Sequence, residues 1–171
     1  QICIPILRLQ QKSLLRLQQK SPIRKMRFAP NAPTSADKTI PDAPVGFGYK
    51  CRWFAVKSDN KNRLAELLEL KNISACNWEM GIDHAYSGSV FITPAIDGWT
   101  LACGGGLPAG DNKEGIIRVK QILQSLSKEF GEAQFFSTHR VVEYHCWMKA
   151  TNGKVDRVYS YLGEAGENIA V

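Results

Sequence analysis

Three histidines, His84, His139 and His145, with the acids and bases near them, carry whatever acid–base chemistry this sequence can perform. Read as a strand, Glu143, His145, Trp147 and Lys149 share one face, and Tyr144, Cys146 and Met148 share the other. The second set is the core face by its hydropathy, which leaves Glu143 and His145 together on the outer one. A carboxylate beside an imidazole fixes its tautomer and strengthens it as a base, which suits general acid–base work. The same spacing also describes an ordinary solvated face. His139-Arg140 is a cationic pair with no acid in its own strand. It could receive a carboxylate or phosphate, bidentately through Arg140. It could equally pin the long 72–88 connection by pairing with Glu79 or Asp83.

Other chemistries find less support. His139 and His145 with Asp83 or His84 lack the spacing of known metal-binding motifs, so no metal or cofactor is implied. Ser137 lies near His139 and Cys146 beside His145. Adjacent strand residues point to opposite faces, however, so Cys146 cannot simply meet His145. The run Gly104-Gly105-Gly106-Leu107-Pro108-Ala109-Gly110 lies between a strand and a helix, where phosphates are often held. It lacks the closing Gly-Lys-Ser/Thr of a phosphate loop, and Asp111 stands where a cation is needed. A strand–helix connection is the simpler reading.

These residues must be positioned by a small set of elements. Tyr49–Ser58 reads as a strand, followed by a helix capped by Asp59 or Asn60 with Leu64, Ala65, Leu67 and Leu68 on its apolar side. The 72–88 connection is long enough to hide a short helix over Trp78–Ala85, capped by Asn77. Ser89–Ile96 and Trp99–Cys103 form a hairpin across Asp97-Gly98. Asp111 and Glu114 resemble a capping box. The helix behind them puts Ile116, Val119, Leu123, Leu126 and Phe130 on one stripe and ends at Gly131. Gln134–Thr138 is a further strand, and Glu143–Ala150 pairs with Val155–Leu162 across Asn152-Gly153. Nothing turn-like separates Thr138 from Glu143, so either a strand bends through His139-Arg140 or a bulge sits there. The predicted class is α+β: a ferredoxin-like βαββαβ order, two helices on one face of an antiparallel sheet, with an added C-terminal β-hairpin.

Charge divides the chain. Residues 6–13 read ILRLQQKS and 14–21 read LLRLQQKS, and segment 1–27 holds seven basic residues and no acid. Residues 28–171 keep 15 of the 22 basic residues and all 16 acids, a formal charge of −1. The octapeptide repeat does not stack on a helix, and it fits sequence upstream of a start at Met26 as well as a basic arm. Residues 28–48, with Pro30, Pro33, Pro41 and Pro44, read as a disordered linker. Residues 49–171 read as a single domain, and Gly166–Val171 carries no closing signal, which suggests a longer gene product. Cys3, Cys51, Cys76, Cys103 and Cys146 are dispersed and odd in number, as expected of reduced thiols in a cytoplasmic protein. No apolar span is long enough for a membrane helix. The near-neutral domain, and a third strand with Trp99 as its one aromatic, argue against nucleic acid as a partner.

Asn77-Trp78-Glu79, Thr93-Pro94 with Asp97-Gly98-Trp99-Thr100, Thr138-His139-Arg140-Val141 and Tyr161-Leu162-Gly163-Glu164 resemble a family of bacterial cytoplasmic proteins of unknown function, over 49–165. The resemblance implies a bacterial setting and supplies no mechanism. Two functional readings follow. The first is a non-enzymatic protein-binding domain, regulatory or immunity-like, with Trp78, Tyr86, Trp99, Arg140 and Trp147 on its contact surface. The second is an enzyme on a small anionic substrate. There Arg140 clamps the anion, Glu143 and His145 exchange protons, and Glu79 and His139 complete a pocket beside Trp78. Convergence of Glu79, His139, Arg140, Glu143 and His145 on one concavity separates the two. Oligomeric state is left open by either reading.

Overall fold

The structure, a computed structural model, describes residues 40–163 and 166–170. The basic segment 1–27, the 28–39 part of the proline-rich stretch, Glu164, Ala165 and Val171 lie outside the described residues. The elements in chain order are β1 (Cys51–Val56), α1 (Lys61–Leu67), α2 (Trp78–Tyr86), β2 (Phe91–Ile92), β3 (Thr100–Cys103), α3 (Lys113–Phe130), β4 (Glu132–His139), a 3-10 turn at Arg140–Val142, β5 (Tyr144–Thr151), β6 (Lys154–Leu162) and β7 (Glu167–Ala170). The strands make one sheet in the order β2-β3-β1-β4-β5-β6-β7, with every neighbour antiparallel.

Alternation along β1 sends side chains to two cores. Phe54 and Val56 pack with Leu64 of α1 and Val119, Leu123 and Leu126 of α3. Cys51, on the other face, packs with Trp78, Ile82 and Ala85 of α2, and Trp53 leans on the same cluster. Two helices on one face was the expectation. The chain instead puts α1 and α3 there and sets α2 on the opposite face, over the β1–β3 end alone. The α3 stripe is as the spacing predicts, with Val119, Leu123 and Leu126 fully buried. Gly131 ends that helix at φ 81°, a backbone region where a missing Cβ removes the strain.

Local signals were mostly met and in places displaced. Asn60, not Asp59, caps α1: its Oδ1 accepts the Arg63 N–H at 3.0 Å. Asn77 caps α2 through the Met80 N–H. The capping box expected at Asp111 and Glu114 is replaced by Asn112, whose Oδ1 accepts the Gly115 N–H at 2.8 Å. The helix starts one residue later than the box requires, and Asn caps as well as Asp. Both hairpin dipeptides have positive φ at each residue, 51° and 79° at Asp97-Gly98, and 49° and 81° at Asn152-Gly153.

The strand expected over Ser89–Ile96 shrinks to Phe91–Ile92 and an isolated bridge between Ile96 and Trp99. Pro94 has no N–H to give a ladder. Just before it, buried Thr93 takes over with its side chain, and its Oγ1 accepts the Leu101 N–H at 3.1 Å. The Thr138–Glu143 puzzle resolves as neither bend nor bulge: the 3-10 turn reverses the chain, so β4 and β5 are a hairpin. Glu143 completes the reversal in the left-handed region at φ 49°, a conformation costing a non-glycine residue about 1–2 kcal/mol. A bulge does occur, in the β5–β6 pair. Thr151 faces Lys154 and Ala150 faces Val155, but Lys149 faces Arg157, leaving Asp156 as the extra residue.

Leu123 is fully buried between α3 and the sheet. Leu123→Ala is expected to lower unfolding free energy by about 2–5 kcal/mol. Denaturant titration checks this, and a change below about 1 kcal/mol would contradict the packing.

Candidate functional site

The residues proposed for acid–base chemistry do not gather. His145 is exposed and its Nδ1 lies 3.2 Å from Thr138 Oγ1. Glu143 sits in the turn, with its side chain folded against Gly163; a Cβ on that glycine would come 2.5 Å from Glu143 Cβ and Oε2. His139 pairs across the ladder with Tyr144, hence on the helix-covered face. Arg140 leaves the strand. Its guanidinium lies 4.4 Å from the Tyr49 ring centroid, and Nη1 donates to Tyr49 Oη at 3.1 Å. Glu79 is in the first turn of α2, on the other side of the sheet from α3. Among the described residues no ion pair joins Glu79 or Asp83 to His139 or Arg140, so the expected pin of the 72–88 connection is not formed that way.

That connection is held by the chain before it. The Asp42 carboxylate accepts the N–H groups of Trp78 at 2.6 Å and Glu79 at 2.9 Å, closing the N-terminus of α2. Phe47 meets Trp53 edge-on at 5.5 Å, and the Gly48 N–H donates to Tyr86 Oη. Residues 40–48 thus contain no helix or strand yet are tied to α2 and β1, which composition did not foresee. Desolvation pushes the Asp42 carboxyl up. The Glu79 and Trp78 N–H groups together outweigh it, so its pKa lies below the usual carboxylate value.

The glycine loop is also spoken for. The Gly105 N–H donates to Ala85 O at 2.8 Å and the Gly106 N–H to Ser89 O at 3.2 Å. A Cβ on Gly106 would stand 2.8 Å from Gly88 O. Glycine is needed here so that two backbones can touch, and these amides are not available to a phosphate. Beneath the loop, Ser160 Oγ donates to Gly110 O at 2.7 Å beside buried Cys146 and Tyr144. The Tyr144 hydroxyl is fully enclosed near Ser137 and Cys146 without a well-formed hydrogen bond. Burial raises the pKa of both Tyr144 and Cys146, and of Cys51, Cys76 and Cys103, so these groups stay protonated and are poor nucleophiles. Among the described residues no cluster of His, Cys, Asp and Glu has the arrangement of a metal site.

The proposed contact aromatics separate as well. Trp78 is only 6 % exposed, packed edge-on against Phe91 at 5.3 Å, and cannot anchor a partner. Tyr86 is exposed at one edge of α2, and Trp99 is half-buried at the hairpin. Trp147 belongs to something larger. Registers across β1, β4, β5 and β6 align Trp53 with Phe136, Phe136 with Trp147, and Trp147 with Tyr159. Trp53 and Phe136 stack at 5.4 Å and 20°, and Trp147 and Tyr159 lie 5.7 Å apart at 35°. All four rings are partly buried, on the face opposite α3, and Trp53 is also covered by Phe47 and the α2 cluster.

Neighbouring rows complete this open face. One side carries Thr138, His145 and Tyr161, and the other carries Gln134, Lys149 and Arg157, with Thr151 and Lys154 beyond. Glu132, on the same face, pairs with Lys149 at 3.0 Å and accepts from Gln134. Three cations therefore stand on this face against Glu132 and the exposed bulge residue Asp156. Composition did not single out Trp53, Phe136, Tyr159 or Arg157. The usable signal was that each strand's outward positions are aromatic at one level, but the register that aligns them is not written in any single strand.

Comparisons with protein-family models, with curated proteins and with solved structures return no match to this chain.

Two measurements test this geometry. A double-mutant cycle with Trp53→Leu and Phe136→Leu should give a coupling of about 0.5–1.5 kcal/mol, and a coupling near zero would mean that the rings do not stack. Because the Asp42 pKa is depressed in the folded chain, its contribution is present above the unfolded-state value and is lost as pH falls through the folded value. Asp42→Ala at neutral pH should speed hydrogen exchange at the Trp78 and Glu79 amides, and acidification of the wild type should lower their protection relative to the intrinsic rate at each pH. Equal exchange in wild type and variant would show that the contact is idle.

Proposed function

We propose that this protein acts by binding rather than by catalysis, and that its contact surface is the open face of β4, β5 and β6 centred on Trp147. The single observation that carries the reading is the cross-strand row Phe136, Trp147 and Tyr159, partly exposed beyond Trp53, where α2 and the 40–48 segment stop. Large apolar groups left open in register on one face are the usual mark of an interaction site. The dispersal of His139, Arg140, Glu143, His145 and Glu79 speaks against the alternative of an enzyme on a small anion, which needs them within reach of one substrate. In architectural terms the proposal is a ferredoxin-like unit, β2-β3-β1-β4, widened by β5 to β7 so that the sheet outgrows the helix on its second face. A bacterial setting is what the resemblance over 49–165 implies, and a cytoplasmic location and a regulatory or immunity-like role belong to the same proposal.

The test compares what the protein retains. Wild-type chain and a Trp147→Ala/Tyr159→Ala variant, each tagged and purified from a bacterial host under identical mild conditions, are analysed for bound macromolecules of any class. Binding through this face predicts a stoichiometric companion on the wild type that the variant loses while keeping its thermal unfolding transition. The same recovery from both would remove the open face as the contact surface.

A further inference from the structure

We infer that the occupant of the open face is a single strand of nucleic acid, its bases stacked on Phe136, Trp147 and Tyr159 and its phosphates met by Lys149, Lys154 and Arg157. This rests on the reading of that face as the binding surface. Neighbouring strands of a sheet stand about 4.8 Å apart. Side chains in register across β4, β5 and β6 therefore stand side by side, with Trp147 and Tyr159 5.7 Å apart and Phe136 in the ladder position next to Trp147. A ledge of partly exposed rings offers flat faces and edges to other flat groups. Unpaired bases stack on aromatic side chains whatever their sequence, whereas bases inside a duplex are already stacked and out of reach.

Charge selects between a polyanion and an apolar partner. Lys149 and Arg157 face each other on the open face one level from the Trp147–Tyr159 pair, and Lys154 lies one level further, opposite Thr151. Glu132 neutralises part of Lys149, and Asp156, the exposed extra residue of β6, stands next to Arg157, so three cations face two acids at this end of the face. Residues 28–171 are close to neutral overall, which means that the other acids lie elsewhere, several of them on α1, α2 and α3. A whole-domain charge argues against nucleic acid, but a phosphate within a Debye length of this face meets local cations first. An apolar protein surface would have to strip water from those same cations with nothing to pair them. On the other side of the row, Thr138, His145 and Tyr161 supply hydroxyl and imidazole groups able to hydrogen-bond base edges. Arg140 on Tyr49 extends the cationic–aromatic character toward the turn end of the sheet.

The absence of an aromatic-rich third strand does not weaken this. The β3 residues that face this side are Leu101 and Cys103, both buried, with Cys103 packed in the α2 cluster. Among the described residues, a stacking platform on this face has to lie on the strands beyond α2, which is where Phe136, Trp147 and Tyr159 are.

The experiment is fluorescence anisotropy of the full chain with a labelled uridine oligomer of about 12 nucleotides, a length within the usual range for one small domain. Expected is saturable binding that a duplex of equal length competes poorly. Trp147→Ala and Tyr159→Ala should each weaken it tenfold or more, and Arg118→Gln on the exposed side of α3 should leave it unchanged. With three phosphates met, log affinity should fall against log salt with a slope of about −2, and Arg157→Gln should reduce that slope by about 0.7. Trp147→Leu, which keeps apolar bulk, guards against loss through misfolding and should weaken binding as Trp147→Ala does. Two results overturn the inference. One is no binding by the wild type at low salt. The other is binding that survives both aromatic substitutions unchanged, which would assign it to the seven basic residues of 1–27. A companion protein lost from the Trp147→Ala/Tyr159→Ala variant, together with no oligonucleotide binding, would keep the face and discard the nucleic acid.

Discussion

Six residues of β1 hold this molecule together, because they must satisfy two cores at once. Phe54 and Val56 anchor α1 and α3 on one side, while Cys51 and Trp53 face α2 and the strap of residues 40–48 on the other. The strand is flanked by β3 and β4, so its backbone groups are also consumed on both edges. Nothing in β1 is spare. The strict alternation of side chains fixes its register, since a slip of one residue would exchange the two cores.

The layers are unequal as a result. α3 has 18 residues and covers β4, β5 and β6 as well as part of β1. α2 has nine and reaches only the β1–β3 end. A sheet of seven strands with one long and one short helical cover must leave a face bare, and the chain has put aromatic rings there in place of the usual polar alternation. Tertiary packing explains the buried Trp78 and the glycine run together. α2 lies so close to the β3–α3 loop that Gly104, Gly105 and Gly106 touch the end of the helix and the Gly88–Ser89 backbone. What looks like a phosphate cradle in sequence is a close contact between two backbones.

Signals that are local in sequence could be read in advance, and those that depend on pairing could not. The α3 stripe, its Gly131 stop, the Asn77 cap and the two hairpin dipeptides each involve residues within a few positions of one another. The β4–β5 reversal was illegible because Arg140-Val141-Val142-Glu143 contains no turn former, and a glutamate occupies the left-handed position. The candidate face was legible only through Trp147. Its partners Phe136 and Tyr159 are assigned by ladder register, and the pairing of Glu143 with His145 failed because strand alternation stops at the turn. Trp78 looked like a surface aromatic since a short capped helix in a loop has no visible partner, and Phe91 that buries it comes later in the chain.

The extra residue in β6 carries more than a local irregularity. With a two-residue turn and no bulge, Trp147 would face Val158. Tyr159, Tyr161 and Arg157 would then turn toward α3, and Val158 and Ser160 would turn toward solvent. The shift between Lys149 and Ala150 reverses that assignment for everything beyond Asp156. One backbone position thus works as a parity setting: it decides whether the far half of β6 belongs to the core or to the ledge. A chain of this fold lacking that one residue would keep Phe136 and Trp147 on the open face and lose Tyr159, Tyr161 and Arg157 from it.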